Sequence, residues 1–219
     1  MMKTNDPNSL LAALGVSFRK EMDITLSPEE IIISLICDHQ VIYKRRLLSL
    51  LILAFQNFQD YFRPDIFFHL LPNMDGISRR VLGGIIFRPG LKNPSRWKRL
   101  KNFIEKEDKT EVYISSHRML ELRAGDEGFS QFRILITRVA GSHEKKLMRE
   151  NWILKYNPWF KNRLLFGPSS RADVYTMKTN FLEANPNRIA RRFNLSYPSI
   201  HGIWNDIILA QEIGHEVLR

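Results

Sequence analysis

The segment Asn187–Ile207, NRIARRFNLSYPSIHGIWNDI, constrains the fold more than any other part of the chain. Two short helices packed steeply around a tight turn demand particular residue types at particular places. The first helix has to bury an apolar residue near its start, keep a small one beside it and bury another at its end. Ile189, Ala190 and Phe193 meet those demands. The turn then calls for a residue at ease in left-handed geometry, followed by an inward apolar one, and Asn194 and Leu195 supply them. In the second helix Ser196 is the cap, Pro198 is tolerated in the first turn, and Ile200, Ile203 and Ile207 form an inner stripe. An upstream helix over 171–182 offers Ala172, Val174, Tyr175 and Phe181 to close a three-helix core.

Ahead of this segment the patterning is also helical. A short helix is expected around 9–14. A second runs from Pro28 to about His39, with Ser27 as cap and Glu29 and Glu30 at the positive end of the dipole. A long apolar helix follows over 42–61, then shorter ones over 65–71 and 78–87, and one capped by Ser95. The isolated Gly83–Gly84 pair reads as a place of close helix packing. TEVYIS is strand-like. Phe129, Phe132, Leu135, Ile136 and Val139 fall at helical spacing, so helix is expected there, and another over 144–155. Pro158 and Gly167–Pro168 punctuate the chain. The expected fold class is therefore mainly α, with a helical domain over 1–157, suited to dimerisation or sensing, and a second domain over 158–219.

Charge is unevenly spread. The net formal charge is +10, yet the first 75 residues hold seven Lys and Arg against nine Asp and Glu, while residues 76–110 hold ten against three. Such a surplus attracts polyanions without choosing among them. Around Trp97, the cluster Arg79, Arg80, Lys92, Arg96, Lys98, Arg99 and Lys101 reads either as a solvated face or as part of a nucleic-acid footprint with Trp97 as its anchor. One cysteine, Cys37, excludes an intrachain disulfide and a multi-cysteine metal cluster, and its apolar helix suggests an inert core thiol. None of the six histidines stands at a zinc-binding helical spacing, and neither a phosphate-cradling glycine loop nor a nucleophile elbow occurs. No catalytic residue, cofactor or metal is expected. The run Leu47–Phe55 is too short to span a bilayer and the start lacks a secretory layout, which points to the cytoplasm and to no membrane partner.

The stretch IARRFNLSYPSIHGI resembles the helix-turn-helix of winged-helix bacterial transcription regulators, over about 167–219. The resemblance implies a three-helix domain with a wing, whose second motif helix, here 197–209, enters the major groove of double-stranded DNA. The residues it places in the groove are Ser196, Tyr197, Ser199, His201 and Asn205, with Asn205 suited to adenine and Tyr197 or Ser199 to phosphate. Arg188, Arg191 and Arg192 would grip the backbone from the preceding helix. A homodimer would then cover two half-sites one helical turn apart. The chain departs from the pattern twice. The reading helix has no Arg or Lys, and 214–219 supplies at most one wing strand, so the wing is minimal or truncated. The alternative reading is a non-enzymatic protein-interaction module with a basic surface.

Overall fold

A computed structural model of the chain describes residues 6–18, 20–107, 110–139 and 144–217. It is mainly helical and forms two compact units, Met1–Ile153 and Leu154–Arg219. The first contains α1 (Pro7–Ala13), α2 (Pro28–Cys37), α3 (His39–Tyr43), α4 (Arg45–Phe58), α5 (Pro64–Leu70), α6 (Gly76–Ile86) and α7 (Pro94–Ile104). After these come β1 (Val112–Tyr113), α8 (His117–Leu122), α9 (Glu127–Ser130) and β2 (Ile134–Leu135). Helix α10 (Glu150–Tyr156) spans the boundary, and α11 (Pro158–Phe166), α12 (Ser170–Asn180), α13 (Pro186–Phe193) and α14 (Tyr197–Val217) make the second unit.

Proline sets the helix starts. Of the ten prolines in the chain, six (Pro7, Pro28, Pro64, Pro94, Pro158 and Pro186) are the first residue of a helix. A pyrrolidine ring fixes φ near the helical value and lacks an N–H that would go unpaired there. Pro158, read as a break, therefore opens α11. The start of α2 has the full reciprocal cap: Ser27 Oγ accepts from the Glu30 amide at 3.3 Å and Glu30 Oε2 accepts from the Ser27 amide at 2.7 Å.

Several expected elements are redrawn. The helix expected over 42–61 is broken at Lys44 and finishes in a short 3-10 turn, Gln59–Tyr61. Helix α7 is preceded by Asn93 in left-handed geometry, two residues before the expected Ser95 cap. The helix expected over 144–155 is shortened to α10 behind a 3-10 turn. Cys37 is exposed, and its thiol pKa is pushed up by partial burial and by Asp75, so the sulfur is not an activated nucleophile.

The helix expected after Phe129 does not form. Instead, α9 ends, Arg133 adopts φ 59, and Ile134–Leu135 pairs in parallel with Val112–Tyr113. Ile134 and Ile136 are buried on either side of half-buried Leu135. That alternation is the period of a strand, and the β-branched residues in FRILITRV favour it.

The core of this unit is aromatic. Phe55 stacks on Phe62 at 5.1 Å and meets Trp97 edge-on at 5.5 Å, while Phe67 lies 5.9 Å from Trp97. The glycine pair of α6 does permit close packing. A Cβ on Gly84 would stand 2.1 Å from the Phe129 ring, and one on Gly83 would stand 2.8 Å from Phe132. Gly84→Ala is therefore expected to lower the unfolding free energy by about 1–3 kcal/mol in urea titration. Unchanged stability would show that the ring withdraws at no cost.

Candidate nucleic-acid interface

The second unit is assembled around a buried polar centre. Asn157 caps α11 by accepting from the amides of Trp159 at 2.9 Å and Phe160 at 3.4 Å. One turn on, Arg163 Nε donates to Asp173 Oδ1 of α12 at 2.9 Å, and both side chains are fully shielded from solvent. Asn162 Nδ2 donates to Thr176 Oγ1 at 2.9 Å, and that hydroxyl donates to the Ala172 carbonyl at 2.8 Å. These bonds fasten α11 to α12. Trp159, itself buried, then presents its ring to Phe181 at 6.1 Å and to Phe193 at 6.0 Å.

On this base sit α13 and α14. Asn185 caps α13 by accepting from the Arg188 amide at 3.0 Å. The helix ends where Asn194 turns left-handed at φ 49 and ψ 50, and the Leu195 amide reaches back to the Ala190 carbonyl at 2.9 Å. Ser196 Oγ accepts from the Ser199 amide at 3.4 Å, and α14 begins. Ile189, Ala190, Phe193, Ile200 and Ile207 are buried as expected, with Ala172 and Val174 of α12, whereas Leu195, Ile203, Tyr175 and Phe181 are half-buried. Each fully buried Ile, Val or Phe side chain among them contributes roughly 1.5–3 kcal/mol.

In place of the expected wing strand, α14 continues to Val217, and no strand occurs among the described residues of this unit; positions 218–219 of that expectation lie outside the described residues. The sequence IILAQEI consists largely of sound helix formers, and a single Gly214 costs only about 1 kcal/mol in a helix interior.

Five of the expected contact residues gather at the turn and along the exposed side of α14. The hydroxyls of Ser196 and Ser199 lie 2.6 Å apart at the helix start. Tyr197, His201 and Asn205, four residues apart and all exposed, form one line along the helix. The Tyr197 and His201 rings are 5.5 Å apart, and Asn205 Nδ2 is 3.2 Å from His201 Nδ1. The three arginines divide. Arg191 is exposed. Arg188 is exposed but paired with Glu183 at 2.6 Å, a surface contact that dissolves at little cost. Arg192 is half-buried, with its guanidinium 5.8 Å over Trp159 and 5.5 Å over Phe193, so it packs the fold as much as it offers charge.

Sequence reasoning missed Lys178. Its ammonium lies 5.0 Å over the Trp204 ring, without a hydrogen-bond acceptor among the described residues, and burial holds its pKa below the lysine range. Nothing in the pattern of α12 alone distinguishes that lysine from a solvated one.

The basic cluster of the first unit is largely occupied. Trp97 is buried in the aromatic core and is not a surface anchor. Arg79 pairs with Glu107, Lys92 with Asp60 at 2.7 Å, Arg96 donates to the Phe62 carbonyl, and Arg99 covers the Phe68 ring. Among the described residues there is no cluster of metal-ligating side chains, and no helix long and apolar enough to cross a membrane. Comparison with protein-family models, curated proteins and solved structures returns no match, so the functional reading rests on this chain's own residues.

The buried pair makes a sharp prediction. Asp173→Ala, which removes the carboxylate that faces a buried guanidinium, is expected to cost about 3–5 kcal/mol, whereas replacing both partners by Arg163→Met with Asp173→Leu should cost less than the single change. A double-mutant comparison of urea midpoints decides it, and a double variant less stable than Asp173→Ala contradicts the account.

Proposed function

We propose that the chain is a sequence-specific DNA-binding protein, a transcription regulator whose α13 and α14 act as a helix-turn-helix and whose α14 reads the major groove. The observation that carries the reading is the exposed line Tyr197–His201–Asn205, with polar side chains on a helix whose opposite side is anchored by Ile200 and Ile207. A helix of this width fits the major groove, and hydroxyl, imidazole and amide groups all hydrogen-bond base edges or phosphates. Ser196 and Ser199 lie at the positive end of the α14 dipole, where a phosphate is favoured. Arg188 and Arg191 supply charge beside it. Binding acts by occlusion or recruitment, without covalent chemistry, and a homodimer would place two such helices on a roughly palindromic site.

A second reading has its own support. Leu164, Leu165 and Phe166 of α11 and Leu209 and Ile213 of α14 are exposed apolar side chains, of the kind that suits contact with a protein partner. In that case the unit is an interaction module and the charge meets an acidic protein.

Duplexes selected from a random pool separate the two readings. Asn205→Ala and Tyr197→Ala should each bind the selected duplex roughly tenfold more weakly while leaving binding to unrelated duplex unchanged. Arg188→Ala or Arg191→Ala should weaken both equally and lower the salt slope by about 1. A wild-type chain that binds every duplex alike contradicts base reading.

A further inference from the structure

Asn205 Nδ2 lies 3.2 Å from His201 Nδ1, within hydrogen-bond reach on one exposed side of α14. In the tautomer that carries the ring proton on Nε2, Nδ1 offers its lone pair and the amide nitrogen is the donor. In that arrangement Asn205 donates one amide hydrogen to His201 and keeps the other, together with Oδ1, for a partner outside the helix.

We propose that His201 is a positioning residue that locks the Asn205 amide in the orientation that reads adenine. The inference rests on the DNA-binding reading above. In the major groove adenine presents the N7 acceptor beside the N6 donor, and an asparagine meets them with its N–H and its Oδ1 in that order. A half-turn of the amide exchanges the two and sets donor against donor. A free amide samples both orientations, whereas one held by an acceptor on Nδ1 is restricted to the matching one.

On α14 the Tyr197 ring is the neighbour of His201 on the other side. Among the charged groups that α12 brings to α14 are Arg171, held by Asp206 at 2.9 Å, and Lys178 over Trp204. Positions 204 and 206 each face about 100° away from Asn205 around the helix. On α13, Arg188 is held by Glu183 and Arg192 lies over Trp159, while Arg191 is exposed.

Two measurements test the proposal and keep its failure apart from that of the DNA reading. The first needs no DNA: in the free neutral chain, nitrogen chemical shifts of the His201 ring should show Nε2 protonated and Nδ1 bare, with mixed tautomers in Asn205→Ala. A protonated Nδ1, or identical tautomers in both proteins, overturns the lock. The second compares a selected duplex with its single A·T to G·C variants. Wild type should discriminate about tenfold at one position. His201→Ala should lose that discrimination. His201→Gln, whose Oε1 accepts, should restore it. Wild-type discrimination surviving in His201→Ala overturns the positioning role. The expected tautomer together with no base preference on any duplex overturns the DNA reading, and the adenine assignment with it.

Discussion

The buried ion pair between Arg163 and Asp173 is the constraint on which the second unit depends. Two charges removed from water contribute little net stability, but losing one partner is costly, so a pair of this kind enforces one arrangement of the helices that carry it. It fixes α11 against α12, with the Asn162–Thr176 bond beside it. Only with that base in place does Trp159 present a surface against which Phe193 closes α13. The position of α13 in turn sets where α14 begins.

From there the geometry passes through one residue. Asn194 takes the left-handed conformation, the chain reverses within three residues, and Leu195 ties back to Ala190. An asparagine tolerates this at little cost where most side chains would be strained. The reversal puts Ile200 and Ile207 inward. The 3.6-residue period of a helix then leaves Tyr197, His201 and Asn205 in a line on the outside. The proposed function is a consequence of that placement, since an apolar inner side and a polar outer side on one helix are what groove reading requires.

Much of this was legible in the sequence because it is local. Caps such as Ser27 with Glu30, the spacing of Ile189, Phe193 and Ile200, and the tolerance of Asn194 are each set within a few residues. What escaped is nonlocal or compensated. Helix α11 buries Trp159 and Phe160 but also Asn162 and Arg163, so it shows no apolar stripe, and its logic appears only beside Asp173, ten residues later. The parallel pairing of Val112–Tyr113 with Ile134–Leu135 joins segments more than twenty residues apart, and it prevailed over a plausible helical spacing. The wing strand expected near the C-terminus gave way to simple helix propensity. Trp97 looked like an anchor because its charged neighbours hid the fact that it belongs to the core with Phe55 and Phe67.

The central claim is that α14 meets DNA with the side that carries Tyr197, His201 and Asn205. Amide chemical-shift mapping of the full chain, titrated with a selected duplex, tests it most directly. The account predicts that the largest changes fall on 188–205, at the end of α13, the turn and the first turns of α14. Changes confined to Leu164–Phe166 and Leu209–Ile213, with the Tyr197–Asn205 line silent, would contradict it.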